Sequence, residues 1–270
     1  MTGELINSAE AVLATFICLY LGIFTPFLIA GKSTSRLTVL MAVAAGIMCW
    51  SFLDIMDDAA LIGVNQGFSG GLVHVLLAVL FAAALLVLFG LDRLSTSGRR
   101  KGRDLMLSYG VALLVALGVG LHSLGEGVEI GSLVGYSYAL AGESSNLITA
   151  IGGLASAAAY LMHKFLEGFV IGVFATAVKA RFARNLALGL LAGVPTAIGL
   201  TVALMVPIDS TVFFAAGAAA VIYIEYKLIP NLISQPHRRG YGAILYLLFF
   251  LLGFYLMYLA GLFHSYTTIF

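Results

Sequence analysis

Long apolar runs separated by short polar breaks dominate this chain. Reading the runs predicts eight helices, near 9–31, 37–58, 70–91, 105–134, 148–178, 185–207, 211–230 and 241–264. A span needs roughly 20 apolar residues, and each run supplies that length. Nothing is left over for a soluble domain, so residues 1–270 read as a single eight-helix transmembrane domain. The longest hydrophilic break, Asp92 to Asp104, reads as a basic loop. The first run begins with Glu4 and Glu10, lacks a basic leader and is long enough to span, so it reads as a helix rather than a cleaved signal.

Composition agrees with the pattern. Hydrophobic residues make up 61% of the chain and charged ones 10%, with mean hydropathy +1.05. A water-facing surface cannot be built from so few charges, which excludes a soluble globular fold. The net charge of +1 argues against a nucleic-acid partner. Cys18 and Cys49 lie inside apolar runs and offer no disulfide framework, so both read as packing residues.

The distribution of charge sets an orientation. Lys32 and Arg36, then Arg93, Arg99, Arg100, Lys101 and Arg103, then Lys179, Arg181 and Arg184, then Lys227, Arg238 and Arg239 all fall in alternate breaks. By the positive-inside rule these breaks are cytoplasmic, which puts both termini on the extracytoplasmic side. The opposite face carries Glu4, Glu10, Asp57, Asp58, Glu143 and Asp209 without a single Lys or Arg. Those carboxylates either concentrate cations near the membrane or are simply solvated loop residues.

Two spans break the apolar pattern in the same way. His122-Ser123-Leu124-Gly125-Glu126-Gly127 leads to Gly131, and His163-Lys164-Phe165-Leu166-Glu167-Gly168 leads to Gly172. Both read His-x3-Glu-Gly-x3-Gly, forty-one residues apart and near mid-span. An ionisable side chain at a helix centre costs roughly 2.5–3.5 kcal/mol even on a lenient insertion scale. Glu126, Glu129, Glu167 and Lys164 left unpaired would therefore cost on the order of 10 kcal/mol together, comparable to the whole stability of a domain.

Residues i and i+4 share a helix face, so His122 points with Glu126 and His163 with Glu167. Two such faces turned together would set two imidazoles and at least two carboxylates around one point, with Glu129 on the same face. Nitrogen and oxygen donors suit Zn²⁺, Fe²⁺ or Mn²⁺ rather than Cu⁺. The glycine after each Glu permits close helix approach or a local bend. The alternative is an interhelical hydrogen-bond network of neutral His and protonated Glu.

A weaker echo flanks the pair. Ala44-Ala45-Gly46 is followed eight residues on by Asp54, and Ala215-Ala216-Gly217 eight residues on by Glu225. The two spans run in opposite directions, which fits an inverted repeat of spans 1–3 and 6–8 about a central site formed by spans 4 and 5.

At these residues the chain resembles the ZIP family of divalent-metal transporters. His122-Ser123-x-x-Glu126-Gly127 is similar to the family's fourth-helix motif, and His163-Lys164-x-x-Glu167-Gly168 to its fifth-helix counterpart. The segment Ala44 to Met48 with Ser51-Phe52, and the segment Ala215 to Gly217 with Ile229-Pro230, look familial too. The resemblance covers nearly the whole length. It implies transport of a divalent cation, Zn²⁺ first and Fe²⁺, Mn²⁺ or Cd²⁺ besides, across the cell membrane toward the cytosol. The metal is substrate rather than cofactor, the chain is no enzyme, and a homodimer is left open.

The family's two-metal members carry a second ligand set, whose positions fall here on Ser123, Lys164 and Val194. A protonated lysine cannot ligate, so the resemblance implies one metal site, with Lys164 paired to Glu126 or Glu167 where a second ion would sit. A lysine that snorkels away from the site is the alternative. Glu129 replaces a small residue and reads as an extra ligand or a step on the way in, and an acid usual near the end of span seven is Lys227 here. The expected route runs from Asp54, Asp57 and Asp58 past Glu129 to His122, Glu126, His163 and Glu167, and out past Glu225. His74, His237 and His264 receive no role. Two other readings compete: an intramembrane zinc-dependent hydrolase, though no His-Glu-x-x-His motif is present, and a metal-free proton relay.

Overall fold

In the computed structural model, residues 2–58, 71–96, 108–141, 148, 153–206, 208–233 and 241–264 are described. They form eight helices: α1 (Thr2–Ala30), α2 (Thr34–Asp58), α3 (Gly71–Thr96), α4 (Tyr109–Ala141), α5 (Leu154–Ala177), α6 (Phe182–Met205), α7 (Thr211–Ile233) and α8 (Tyr241–His264). All eight are long and apolar enough to cross a membrane, so the protein is an all-α integral membrane protein with no strand among the described residues. His237, Glu143 and the loop residues Arg99, Arg100, Lys101 and Arg103 lie outside the described residues, as do the side chains of Glu4, His74 and His264.

Helix ends follow local chemistry. α1 stops where Gly31 takes a left-handed φ of 53°, and its N–H returns to the Phe27 carbonyl at 3.2 Å. α5 starts only at Leu154, later than residue 148, because Gly153 adopts φ 102°, a conformation closed to most side chains. After α5, Lys179 sits at φ 51° and Ala180 N–H reaches the Ala175 carbonyl at 2.9 Å, a Schellman-type stop. Before α7, the exposed Asp209 carboxylate accepts from the Thr211 N–H at 3.0 Å and its hydroxyl at 2.5 Å. Those two donors hold the Asp209 carboxyl below the usual carboxylate range.

One expected boundary moves. α3 runs on to Thr96, so Asp92 and Arg93 are helical and the basic loop begins later than residue 92. Asp92 is buried because it has a buried partner on α7, which a reading based on the first polar residue cannot see.

The inverted repeat is visible in how the helices pack. α1 packs on α5 as α6 packs on α4; α2 packs on α8 as α7 packs on α3; α4 meets α7 as α5 meets α2. Exchanging spans 1–3 with 6–8, and 4 with 5, maps these neighbours onto one another. The agreement holds residue by residue. A Cβ on Gly22 would overlap the carbonyl of Phe165, and one on Gly199 the carbonyl of Leu124. In the reverse direction, Gly168 and Gly172 lie on the carbonyls of Leu19 and Ile23, while Gly127 and Gly131 lie on those of Thr196 and Leu200. Small residues at these points let two backbones touch, which is how apolar helices gain contact energy in lipid. The shorter echo behaves otherwise: Gly46 meets the backbone of α8 at Phe250, whereas Gly217 meets His122 of α4.

The most buried helices are α4 and α5, and the most exposed are α3 and α8. A core running from Leu19 and Ile47 through Val115 and Val170 to Ile224 joins α1, α2 and α7 to the central pair α4 and α5.

Candidate metal centre

The two matched motifs meet. His122 and Glu126 of α4 face His163 and Glu167 of α5, and all four are buried. One donor atom from each lies within 4.8 Å of the other three. His122 Nε2 stands 3.7 Å from Glu126 Oε1 and 3.5 Å from Glu167 Oε1. His163 Nε2 stands 3.5 Å and 3.4 Å from the same two oxygens. The imidazole rings are stacked with centroids 5.8 Å apart.

These separations lie beyond the usual hydrogen-bond range. A tetrahedral ion with bonds of 2.0–2.15 Å to N and O ligands spaces them by roughly 3.3–3.5 Å. The four nitrogen–oxygen edges, 3.4–3.7 Å, come close to that spacing, and all four donor atoms lie within 4.8 Å of one another. Meanwhile Glu126 Oε1 and both ring nitrogens of His122 have no hydrogen-bond partner among the described residues. Buried polar groups are nearly always satisfied, and leaving one bare costs about 1–3 kcal/mol. Converging bare donors therefore fit a cation that the four residues could share.

The other side of the carboxylates is closed by Lys164. Its Nζ is fully buried and donates to Oε2 of Glu126, to Oε2 of Glu167 at 2.7 Å, and to Ser123 Oγ at 2.9 Å. It does not snorkel, and it pairs with both glutamates rather than one. Ser123 Oγ in turn donates to Glu167 Oε2 at 3.4 Å. Above Nζ sits the Tyr160 ring at 5.8 Å, whose hydroxyl meets Thr15 Oγ1 at 3.2 Å.

Other expected positions fall elsewhere. Glu129 is half-buried on α4 and outside the four-residue group. Asp57 and Asp58 are exposed at the end of α2, and Asp54 is half-buried one turn earlier against Gly261 of α8. Val194 faces outward, 40% exposed, because α6 turns Ala192, Thr196 and Gly199 toward its neighbours. An acid at Val194 would not reach the cluster, so that position does not correspond to a second-site ligand. Glu225 is half-buried, and both its carboxylate oxygens are enclosed with no hydrogen-bond partner among the described residues.

Three features were not foreseen. Gly217 clears space for His122, since a Cβ there would stand 3.0 Å from the His122 Cβ. A small cavity touches His122 and Glu167 and is lined besides by Ser51, Ile55, Gly118, Val221 and Ile224. Lys227 donates to Asp92 Oδ2 at 2.5 Å, and the Tyr223 hydroxyl donates to Asp92 Oδ1 at 3.3 Å. Only the unusual Lys227 hinted at this pair. Set against known proteins, the chain matches no family model and no curated sequence.

Proposed function

We propose that this protein moves a divalent transition-metal cation, Zn²⁺ first among them, across a cell membrane toward the cytosol, as the resemblance to ZIP transporters implies. The observation that carries the reading is the convergence of two matched His-Glu pairs deep in an eight-helix bundle, with one donor atom from each within 4.8 Å of the others. A buried site at mid-span between inverted repeats is the recurring plan of secondary transporters. The positive-inside rule puts the basic end in the cytosol and both termini outside.

On this reading Asp57, Asp58 and Asp54 gather the ion, and Glu129 lies on the way to the cluster. His122, Glu126, His163 and Glu167 hold it. The way out passes Glu225. Protons compete with metal for the same nitrogens and oxygens, so acid conditions release the ion. The helix pairs α4–α6 and α5–α1, joined backbone to backbone, move as units when access switches.

A hydrolytic zinc keeps one coordination position open for water. Here the cluster offers four protein donor atoms, which supports carriage over catalysis. The test is uptake of radioactive zinc into vesicles containing the purified chain. Glu167→Ala is expected to abolish it, and uptake that survives the substitution with unchanged affinity contradicts the proposal.

A further inference from the structure

We propose that Lys164 sets the metal selectivity of the site by withholding one oxygen of each glutamate. This rests on the reading that the four-residue cluster binds a divalent ion, and deepens it. In both carboxylates the two oxygens are divided between separate tasks. Oε1 of Glu126 and Oε1 of Glu167 face the imidazole Nε2 atoms at 3.4–3.7 Å. Oε2 of each faces the Lys164 ammonium.

The lysine has no slack. An ammonium carries three N–H donors, and here they go to Glu126, Glu167 and Ser123. The side chain is fully buried, so no water can replace it, and Tyr160 anchored on Thr15 lies over it. Pulling either Oε2 away would leave a buried positive charge short of a partner, which is costly.

This arrangement fixes the coordination number. A carboxylate with both oxygens free can bind a cation in bidentate fashion. Two such glutamates and two histidines would offer up to six donors, the number that Mn²⁺ and other oxygen-seeking ions prefer. With Oε2 committed, each glutamate gives one oxygen and the cluster gives four donors. Four N and O donors in a tetrahedron are the preference of Zn²⁺. The ammonium also lowers the negative charge of the site, but that weakens all divalent ions alike. The ratio between ions therefore isolates the geometric effect.

The experiment uses the full chain in lipid nanodiscs with Co²⁺ as a spectroscopic probe, alongside competition titrations of Zn²⁺ against Mn²⁺. The wild-type protein is expected to give the intense visible d–d bands of four-coordinate Co²⁺. Lys164→Met, which keeps an unbranched side chain and removes the donors, is expected to give the weak bands of higher coordination. Its preference for Zn²⁺ over Mn²⁺ should fall by at least about tenfold. Four-coordinate bands and an unchanged ratio in Lys164→Met overturn the inference. So do weak, six-coordinate bands in the wild-type protein, a result that stands even if the variant fails to fold. A wild-type chain that binds neither Co²⁺ nor Zn²⁺ overturns the metal-site reading itself, which is a different outcome.

Discussion

Gly168 rests on the main-chain carbonyl of Leu19 so closely that a Cβ at that position would overlap the oxygen. Gly127 stands in the same relation to Thr196. Each glycine directly follows a cluster glutamate, so backbone contact with α1 or α6 fixes the height at which Glu167 and Glu126 enter the site. Gly168→Ala and Gly127→Ala must push two helices apart. Overpacking of this kind costs about 1–3 kcal/mol. Thermal unfolding in detergent should show both variants melting below the wild type, with a smaller upward shift on adding Zn²⁺. Wild-type melting with a full zinc shift would show that these contacts do not hold the site.

His122 depends on Gly217 in a gentler way. The nearest atoms to a new Cβ would be His122 Cβ at 3.0 Å and Cα at 3.1 Å, so His122 and its stretch of α4 must yield by a few tenths of an ångström. Gly217→Ala should therefore leave the fold intact but weaken zinc binding by roughly tenfold, the scale typical of disturbing a ligand's support. Titration calorimetry on the folded variant reads this directly. Unchanged affinity would mean that His122 is held by other contacts.

Asp92 and Lys227 form a second buried ion pair, joining α3 to α7 away from the cluster. Removing one partner of such a pair typically costs 3–5 kcal/mol, whereas removing both can be neutral. Lys227→Met should thus destabilise by about 3–5 kcal/mol, and Asp92→Asn combined with Lys227→Met should recover most of the loss. A double-mutant cycle by denaturant unfolding in micelles measures the coupling. Purely additive effects would show that the pair contributes no interaction of its own.

The sequence made the spans and the cluster legible for physical reasons. Apolar runs are dictated by the bilayer, and a charged side chain inside one is too costly to be idle, so His122, Glu126, His163, Glu167 and Lys164 stood out. Helical spacing then set each His over its Glu. The coarse inverted repeat was legible from Asp54 and Glu225, although Gly46 and Gly217 turned out to touch unlike partners. The finer repeat was not. Gly22 and Gly199 lie in spans without a shared motif, and only the packing of α1 and α6 reveals their equivalence. Asp92 was misread as a loop residue because polar character alone marks a span's end, while its partner lies 135 residues away. Val194 was misplaced because helical phase in an all-apolar span leaves no signal of which face points inward.

The central claim is that one divalent ion sits among His122, Glu126, His163 and Glu167. Anomalous diffraction from zinc-soaked crystals tests it most directly, because it gives the number of ions and their position together. A single strong peak about 2.0–2.2 Å from His122 Nε2, His163 Nε2, Glu126 Oε1 and Glu167 Oε1 is the predicted result. Zinc bound elsewhere while these four side chains stay empty, or a second ion in the place of the Lys164 ammonium, would contradict it.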